Sequence, residues 1–231
     1  MTLLKCNNLT KTYGNVTALS NINLQIESGH IIGLLGPNGS GKTTLIKLIA
    51  GLLSPTSGSI YVQEKPLGTV SKSLISYLPD HSYLNDNWKV QDMIDFFEDF
   101  YKDFDSTRAY DMLEKLNINP SHKLKTFSKG TKEKVQLILV MSRRASIYIL
   151  DEPIAGVDPA ARDYILEIIL SNYDENATLL ISTHLISDIE NILDEVIFIQ
   201  NGTIHTHASV DDLRQKDHKS IDALFREVFK C

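Results

Sequence analysis

Hydrophobic and polar positions along this chain fall into short apolar runs separated by helical periodicities. Ile31-Ile32-Gly33-Leu34-Leu35 is an apolar run, and Leu45-Ile46-Lys47-Leu48-Ile49-Ala50 follows it with the character of a helix. Upstream, residues 2–26 predict two short strands around a turn. Leu3-Leu4-Lys5-Cys6 opens the first, and in the second Ile22, Leu24 and Ile26 alternate with Asn23 and Gln25, as in a half-buried strand. The cluster Leu53-Ser54-Pro55-Thr56-Ser57-Gly58 stops the helix. Strands from Ser59 to Val62 and from Ser73 to Leu78 follow, the latter ending at Pro79-Asp80. Ile147-Tyr148-Ile149-Leu150 and Thr178 to Ser182 read as buried strands, with a proline-initiated helix from about Pro159 to Leu170 between them. Glu195 to Gln200 and Thr203 to Thr206 flank Asn201-Gly202, a strong hairpin signal. Strands alternating with helices predict an α/β fold with a mainly parallel sheet, and antiparallel strands at the N-terminal side.

Residues 82–125 change character. Met93, Phe96, Phe97, Phe100, Tyr101 and Phe104 recur at helical spacing among Asp92, Asp95, Glu98, Asp99 and Asp103. Tyr110, Leu113 and Leu116 suggest a second helix, and Val135, Ile138, Leu139 and Met141 a third. We expect a helical subdomain over about 82–145, with the aromatic stripe as its core. It is inserted into an α/β core formed by 1–80 and 146–231, the whole being one domain. Ile221, Leu224, Phe225 and Val228 form an amphipathic C-terminal helix.

Composition narrows the class. The 231 residues are 42% hydrophobic and 23% charged, ordinary for a globular domain, and the formal charge of −6 argues against a nucleic-acid partner. No apolar run approaches the roughly 18 residues that cross a bilayer, and Met1 to Lys5 lacks a signal-peptide layout. Cys6 and Cys231 stand at opposite ends without motif spacing, so a disulfide framework is not expected and a reducing, cytoplasmic setting is.

Candidate chemistry begins at GPNGSGKTT, Gly36 to Thr44, which fits G-x-x-x-x-G-K-S/T between a buried strand and a helix. Glycines let successive N–H groups converge on a phosphate, the helix N-terminus adds partial positive charge, Lys42 can reach β- and γ-phosphates, and the Thr43 hydroxyl can bind Mg²⁺. Asp151 ends an apolar strand, where it can hold Mg²⁺, and Glu152 can act as general base. Ser128 and Gly130 sit at a helix start, far from Lys42 in sequence, where a hydroxyl and free N–H groups can hold a γ-phosphate. His205 and His207 share a strand face without an evident third ligand and are expected to be surface residues.

With these motifs in order, the chain resembles the ATP-binding subunit of an ATP-binding cassette (ABC) transporter from end to end. GPNGSGKTT matches Walker A, so that Gly36, Asn38, Gly39, Ser40, Gly41, Lys42, Thr43 and Thr44 line the phosphates. Tyr13 matches the adenine-stacking aromatic, with Val16 beside it, and Tyr77-Leu78-Pro79-Asp80 falls at the Q-loop. Phe127-Ser128-Lys129-Gly130-Thr131 falls at the LSGGQ signature, Ile149 to Glu152 at Walker B, Ala155-Gly156-Val157-Asp158 at the D-loop and His184 at the switch histidine. The resemblance implies two cassettes facing head to tail around two ATP, Thr43, Asp80 and Asp151 at the Mg²⁺, Glu152 and His184 at the reacting water, and Ser128, Lys129, Gly130 and Asp158 acting across the dimer. It further implies a membrane-spanning partner subunit, a place on the inner face of the cell membrane, and, from FSKG with DEPIAGVDP, the peptide-antibiotic resistance and peptide export branch. Asp80 stands where glutamine is usual, and Lys129 where glycine is. A GTPase or nucleotide kinase would share the phosphate loop but not the signature, the histidine and the paired acids. The alternative reading is a soluble, non-transport ABC ATPase acting on ribosomes or DNA; such proteins carry two cassettes or long coiled coils, and one cassette without a heptad run weighs against it.

Overall fold

The computed structural model describes residues 2–229, apart from the side chains at 160 and 161; Cys231 lies outside the described residues. A six-stranded sheet has the order β10-β9-β3-β8-β7-β6. Its strands are β3 (Ile31–Leu35), β6 (Ile75–Leu78), β7 (Ile147–Asp151), β8 (Thr178–Ser182), β9 (Glu195–Gln200) and β10 (Thr203–Ser209). All are parallel except β10, which returns antiparallel to β9 through the expected Asn201-Gly202 turn. Every residue of β3, β7 and β8 is buried. That is why they read as unbroken apolar runs: both faces of a parallel sheet are covered.

A second sheet, fully antiparallel, has the order β2-β1-β4-β5, with β1 (Thr2–Tyr13), β2 (Val16–Glu27), β4 (Ser57–Val62) and β5 (Lys65–Pro66). β1 and β2 are twelve residues each, not the short strands the pattern predicts. Bulges between Cys6 and Leu9, between Leu9 and Lys11 and between Lys11 and Thr12 shift the register, with Asn8 and Asn21 at positive φ. Each extra residue breaks the two-residue alternation while pairing resumes beyond it.

One core fills the space between the antiparallel sheet and the mixed sheet, around α1 (Lys42–Ile49), and includes Leu9, Leu19, Ile32, Leu45 and Ile149. The short α2 (Thr69–Ser73) leads into β6. The other core lies under the opposite face, among α3 (Val90–Phe100), α4 (Ser106–Lys115), α5 (Lys129–Met141), α6 (Pro159–Asn172), α7 (Ile186–Ile189) and α9 (Ile221–Phe229), with α8 (Val210–Asp217) preceding the last. Among the described residues no helix is long and apolar enough to cross a membrane.

The aromatic stripe divides. Met93, Phe97 and Phe104 are core, but Phe96 is 48% exposed and Phe100 66%, so the expectation that the whole stripe is core is corrected. Trp88 meets Phe96 edge-on at 5.6 Å, and Phe96 stacks on Phe100 at 6.0 Å. Residues 93 and 97 share one face of the helix, and 96 and 100 the next; the fold covers only the first.

Arg143 joins the helices to the sheet. Its guanidinium donates to Asp103 Oδ1 (3.2 Å) and Oδ2 (2.9 Å), to the Ile75 carbonyl (2.6 Å) and to the Ser73 carbonyl (2.5 Å). It lies 4.0 Å from the Tyr101 ring centroid.

Candidate nucleotide-binding site

The parallel strands end on one side of the sheet, and the loops that follow β3, β6, β7 and β8 carry the candidate residues, the edge where open α/β sheets hold their ligands. After β3 the chain turns at Gly36, where an added Cβ would stand 2.3 Å from the Ile199 carbonyl oxygen. At Gly41, the N-cap of α1, φ is +110° and a Cβ would press on Leu19 and the Ala18 carbonyl at 2.8 and 2.9 Å. Only glycine fits either position. Asn38 and Gly39 are exposed, Ser40 and Lys42 buried, and Thr43 and Thr44 half-buried. The Gly202 N–H donates to the Ser40 carbonyl at 2.9 Å, so the distant β9–β10 hairpin braces the loop, a support with no local signal in the sequence.

Lys42 Nζ donates to the carbonyls of Gly36 (2.7 Å) and Pro37 (3.3 Å). Burial pulls its ammonium below the ordinary lysine range, while the charges of Glu152 and Asp151 oppose the fall. Asp151 ends β7, and Ser182, ending β8 beside it, donates its hydroxyl to Asp151 Oδ1. The other oxygen, Oδ2, is buried without a hydrogen-bond partner among the described residues. Burial pushes the Asp151 carboxyl up and Asp80 and Glu152 add to this, against the hydroxyls of Ser182 and Thr43. Glu152 takes a left-handed φ of +54°, its N–H donating to the Ser182 carbonyl (3.0 Å) and hydroxyl (3.2 Å). Its Oε2 lies 2.9 Å from His184 Nδ1. Ser182 thus holds both acids; in the sequence it stands out only as the end of the strand from Thr178, two residues before the switch histidine, with no sign of this role.

Asp80 follows β6 and its Oδ1 lies 2.7 Å from His81 Nδ1. Gln136 of α5, also unforeseen, tethers this loop: its amide donates to the carbonyls of Pro79 and His81 and accepts from the Tyr83 N–H, each at 3.4 Å, bonds near the weak limit. Ser128 caps α5, its hydroxyl accepting from the Thr131 N–H at 3.2 Å; Lys129 is exposed beside Glu133 at 3.8 Å, and nothing stands within 4 Å of a Cβ built at Gly130. Asp158 is exposed just before α6. Tyr13 and Val16 flank the β1–β2 turn, the ring 47% exposed with Lys11 Nζ 5.1 Å from its centroid. The structure therefore gathers Walker A, Asp80, Asp151, Glu152 and His184 along one edge, while the polar contacts of Ser128 and Lys129 stay within their own helix.

A cleft of about 940 Å³ opens instead near the amino-terminal ends of β7 and β8, lined by Asp105, Arg108, Arg144, Tyr148 and Asp174. Arg144 is paired with Asp105 at 2.8 Å and no phosphate-binding loop reaches it, so volume does not mark the site here. His207 is paired with Glu195 at 2.7 Å, and Glu195 with His30 at 2.5 Å.

Comparison with known proteins gives the family and the fold. Residues 19–155 match the ABC transporter family. The chain is 33% identical over 218 residues to an uncharacterised ABC transporter ATP-binding protein of Methanocaldococcus jannaschii, covering 92% of this chain and 80% of that one. It is 33% identical over 204 residues to a lantibiotic transport ATP-binding protein of Streptococcus pyogenes, covering 87% and 89%. A solved ATP-binding subunit of an ABC transporter superposes with a TM-score of 0.89 at 27% identity over 98% of this chain and 99% of that one. A dimeric cassette bound to ADP and Pi shares the fold, with a TM-score of 0.79 at 22% identity over 90% and 98%. Phosphate loop, paired acids and histidine on the fold of these cassettes identify the chain as a member of the ABC transporter family, an ATP-binding subunit that hydrolyses ATP.

Proposed function

We propose that two copies of this chain, or this chain and a close relative, close head to tail around two ATP and drive a membrane-spanning subunit that exports a peptide or peptide antibiotic. The observation that carries the reading is the division of the site. Walker A, Asp151, Glu152 and His184 stand together, while Ser128, Lys129 and Gly130 present a helix start whose contacts are local. A γ-phosphate on Lys42 is then reached by the signature of a second cassette, with Asp158 at the junction. The lantibiotic transport relative supports the choice of cargo.

Tyr13, with Val16, stacks on adenine, and the loop Gly36 to Thr44 wraps the phosphates. Thr43, Asp80 and Asp151 would hold Mg²⁺: they are hard oxygen donors, and the buried, unpartnered Oδ2 of Asp151 needs a cationic or hydrogen-bonding neighbour. When bound, the cation neutralises charge on the β- and γ-phosphates. Glu152 accepts a proton from water as its oxygen attacks the γ-phosphorus and the bond to the ADP oxygen breaks. His184 orients Glu152 through the 2.9 Å contact. Glu152→Gln keeps the shape and removes the base. Turnover is expected to fall by about 10²–10⁴-fold, with ATP binding intact and an ATP-dependent dimer now long-lived on size exclusion. Near-normal turnover would remove Glu152 from the role, and a monomer under saturating ATP would remove the sandwich.

The exposed Trp88, Phe96 and Phe100, which follow the Gln136-tethered loop 79–83 along the chain, form the docking surface for the membrane subunit on the inner face of the membrane. Aromatic anchors carry much of an interface's energy. Phe96→Glu with Phe100→Glu is expected to keep basal turnover and lose co-purification with that subunit.

A further inference from the structure

We propose that Tyr77 is a positioning residue of the ATP site, its hydroxyl a hydrogen-bond donor on the sheet face of Asp151 in a site where Asp80 and Asp151 can only accept. The inference rests on the reading of Thr43, Asp80 and Asp151 as the cation site.

Its geometry comes from the sheet. β6 and β7 run parallel with Tyr77 opposite Ile149 and Leu78 opposite Leu150. Side chains two residues apart share a face, so Tyr77, Ile149 and Asp151 project from the same side of the sheet. Tyr77 packs against the core that holds Ile149, Leu45 and Leu48, the α1 side. Its hydroxyl is buried without a hydrogen-bond partner among the described residues, as are Asp151 Oδ2 and Ser40 Oγ. Burial first, then the charges of Asp151 and Asp80, push the phenol's ionisation up, so it stays a protonated donor.

Donor arithmetic gives the hydroxyl a task. A glutamine at position 80 would offer two N–H donors and an acceptor, whereas an ionised aspartate only accepts. With Asp80 and Asp151 both acceptors, a phosphate oxygen or an outer-sphere water near them has no donor from either. Tyr77 offers one O–H from a stiff strand position. Its buried hydroxyl costs the fold free energy wherever it lacks a partner, a cost that ends when an oxygen of the loaded site accepts its proton. The acceptor is an outer-sphere water beside the cation or a phosphate oxygen, and the two separate in the test.

The test uses the full chain with Tyr77→Phe, in a Glu152→Gln background so that ATP persists, titrating Mg²⁺ into protein with a fluorescent ATP analogue. The Mg²⁺ concentration for half-maximal response is expected to rise about five- to tenfold, with the melting temperature of the nucleotide-free protein unchanged or higher. Analogue affinity in EDTA is unchanged if the acceptor is an outer-sphere water and weakens equally if it is a phosphate oxygen. Adding Asp80→Gln to Tyr77→Phe returns the donor and is expected to restore the response. An unaltered Mg²⁺ titration, or a loss of stability that Asp80→Gln does not repair, overturns the proposal and marks the hydroxyl as structural. Parent protein whose analogue binding shows no Mg²⁺ dependence overturns the cation site itself, and this inference with it.

Discussion

Two cations are buried to a similar degree in this protein, Lys42 at 7% exposure and Arg143 at 3%, and they are held in opposite ways. Arg143 meets both oxygens of Asp103, two backbone carbonyls and an aromatic face. Lys42 meets two carbonyls of its own loop and only the distant charge of Asp151 and Glu152, and its ammonium is pulled below the ordinary range. A planar fork can be completed by fixed protein groups, and at Arg143 it is; a compact ammonium on a flexible stem can move to a new anion. The first cation ties helices to sheet. The second has not been neutralised by the fold, which is the condition for holding a triphosphate.

Removing each cation sharpens the contrast. Arg143→Met is expected to cost about 3 kcal/mol, the low end for a broken buried pair because Asp103 keeps 29% exposure. Urea unfolding of the single variant and of Arg143→Met with Asp103→Leu measures it, and the double variant should recover the part due to the unpaired carboxylate while the orphaned carbonyls of Ile75 and Ser73 keep the rest. A single-variant cost below about 1 kcal/mol would mean the joint is not where the two layers are held.

Lys42→Met should act the other way. ATP affinity is expected to drop roughly tenfold to a hundredfold, the worth of a charged hydrogen bond, while nucleotide-free stability is no lower than that of the parent. The sign follows from the lowered ammonium. Folding a lysine into a site that disfavours its charge costs stability at neutral pH, and that cost fades as pH rises through the lowered folded value toward the ordinary lysine range. The stability difference between parent and variant should therefore be flat near neutrality and shrink in alkali. A variant markedly less stable than the parent at pH 7 would put Lys42 in the same class as Arg143.

Tyr13→Ala probes the rim, where the ring is half exposed with Lys11 Nζ over its face. ATP and GTP binding should both weaken, by about 1 kcal/mol at the low end of base stacking. Unchanged affinity for both nucleotides would move the base site elsewhere.

What the chain made legible follows from where its signals are local. The strand, glycine loop and helix from Ile31 to Ile49 are contiguous, so pattern and chemistry reinforce each other, and the Asn201-Gly202 turn is likewise self-contained. The length of β1 and β2 was hidden because bulges at Asn8 and near Lys11 scramble the alternation. The fate of Phe96 and Phe100 was hidden because a helix wheel shows two adjacent apolar stripes and cannot say which one the sheet covers. Gln136 was passed over, and Ser182 and Tyr77 stood out only as strand or motif positions, because each gains its contacts from a neighbouring strand or helix distant in sequence. The roles assigned to the site residues rest on motif and geometry together, and the variants above are their measure.

The left-handed backbone at Glu152 has a consequence for how this position would age. Glutamate is a poor occupant of that conformation; glycine takes it freely and asparagine more readily than most. Glu152→Gly should therefore stabilise the nucleotide-free protein slightly, by up to about 1 kcal/mol or roughly 2–4 °C in melting temperature, while ending turnover. A cassette lineage that stopped hydrolysing ATP would meet no backbone penalty at residue 152 in exchanging glutamate for glycine or asparagine, whereas β-branched residues would be disfavoured there. The identity of that one residue thus works as a clock on catalytic use, readable in any descendant of this chain without an assay.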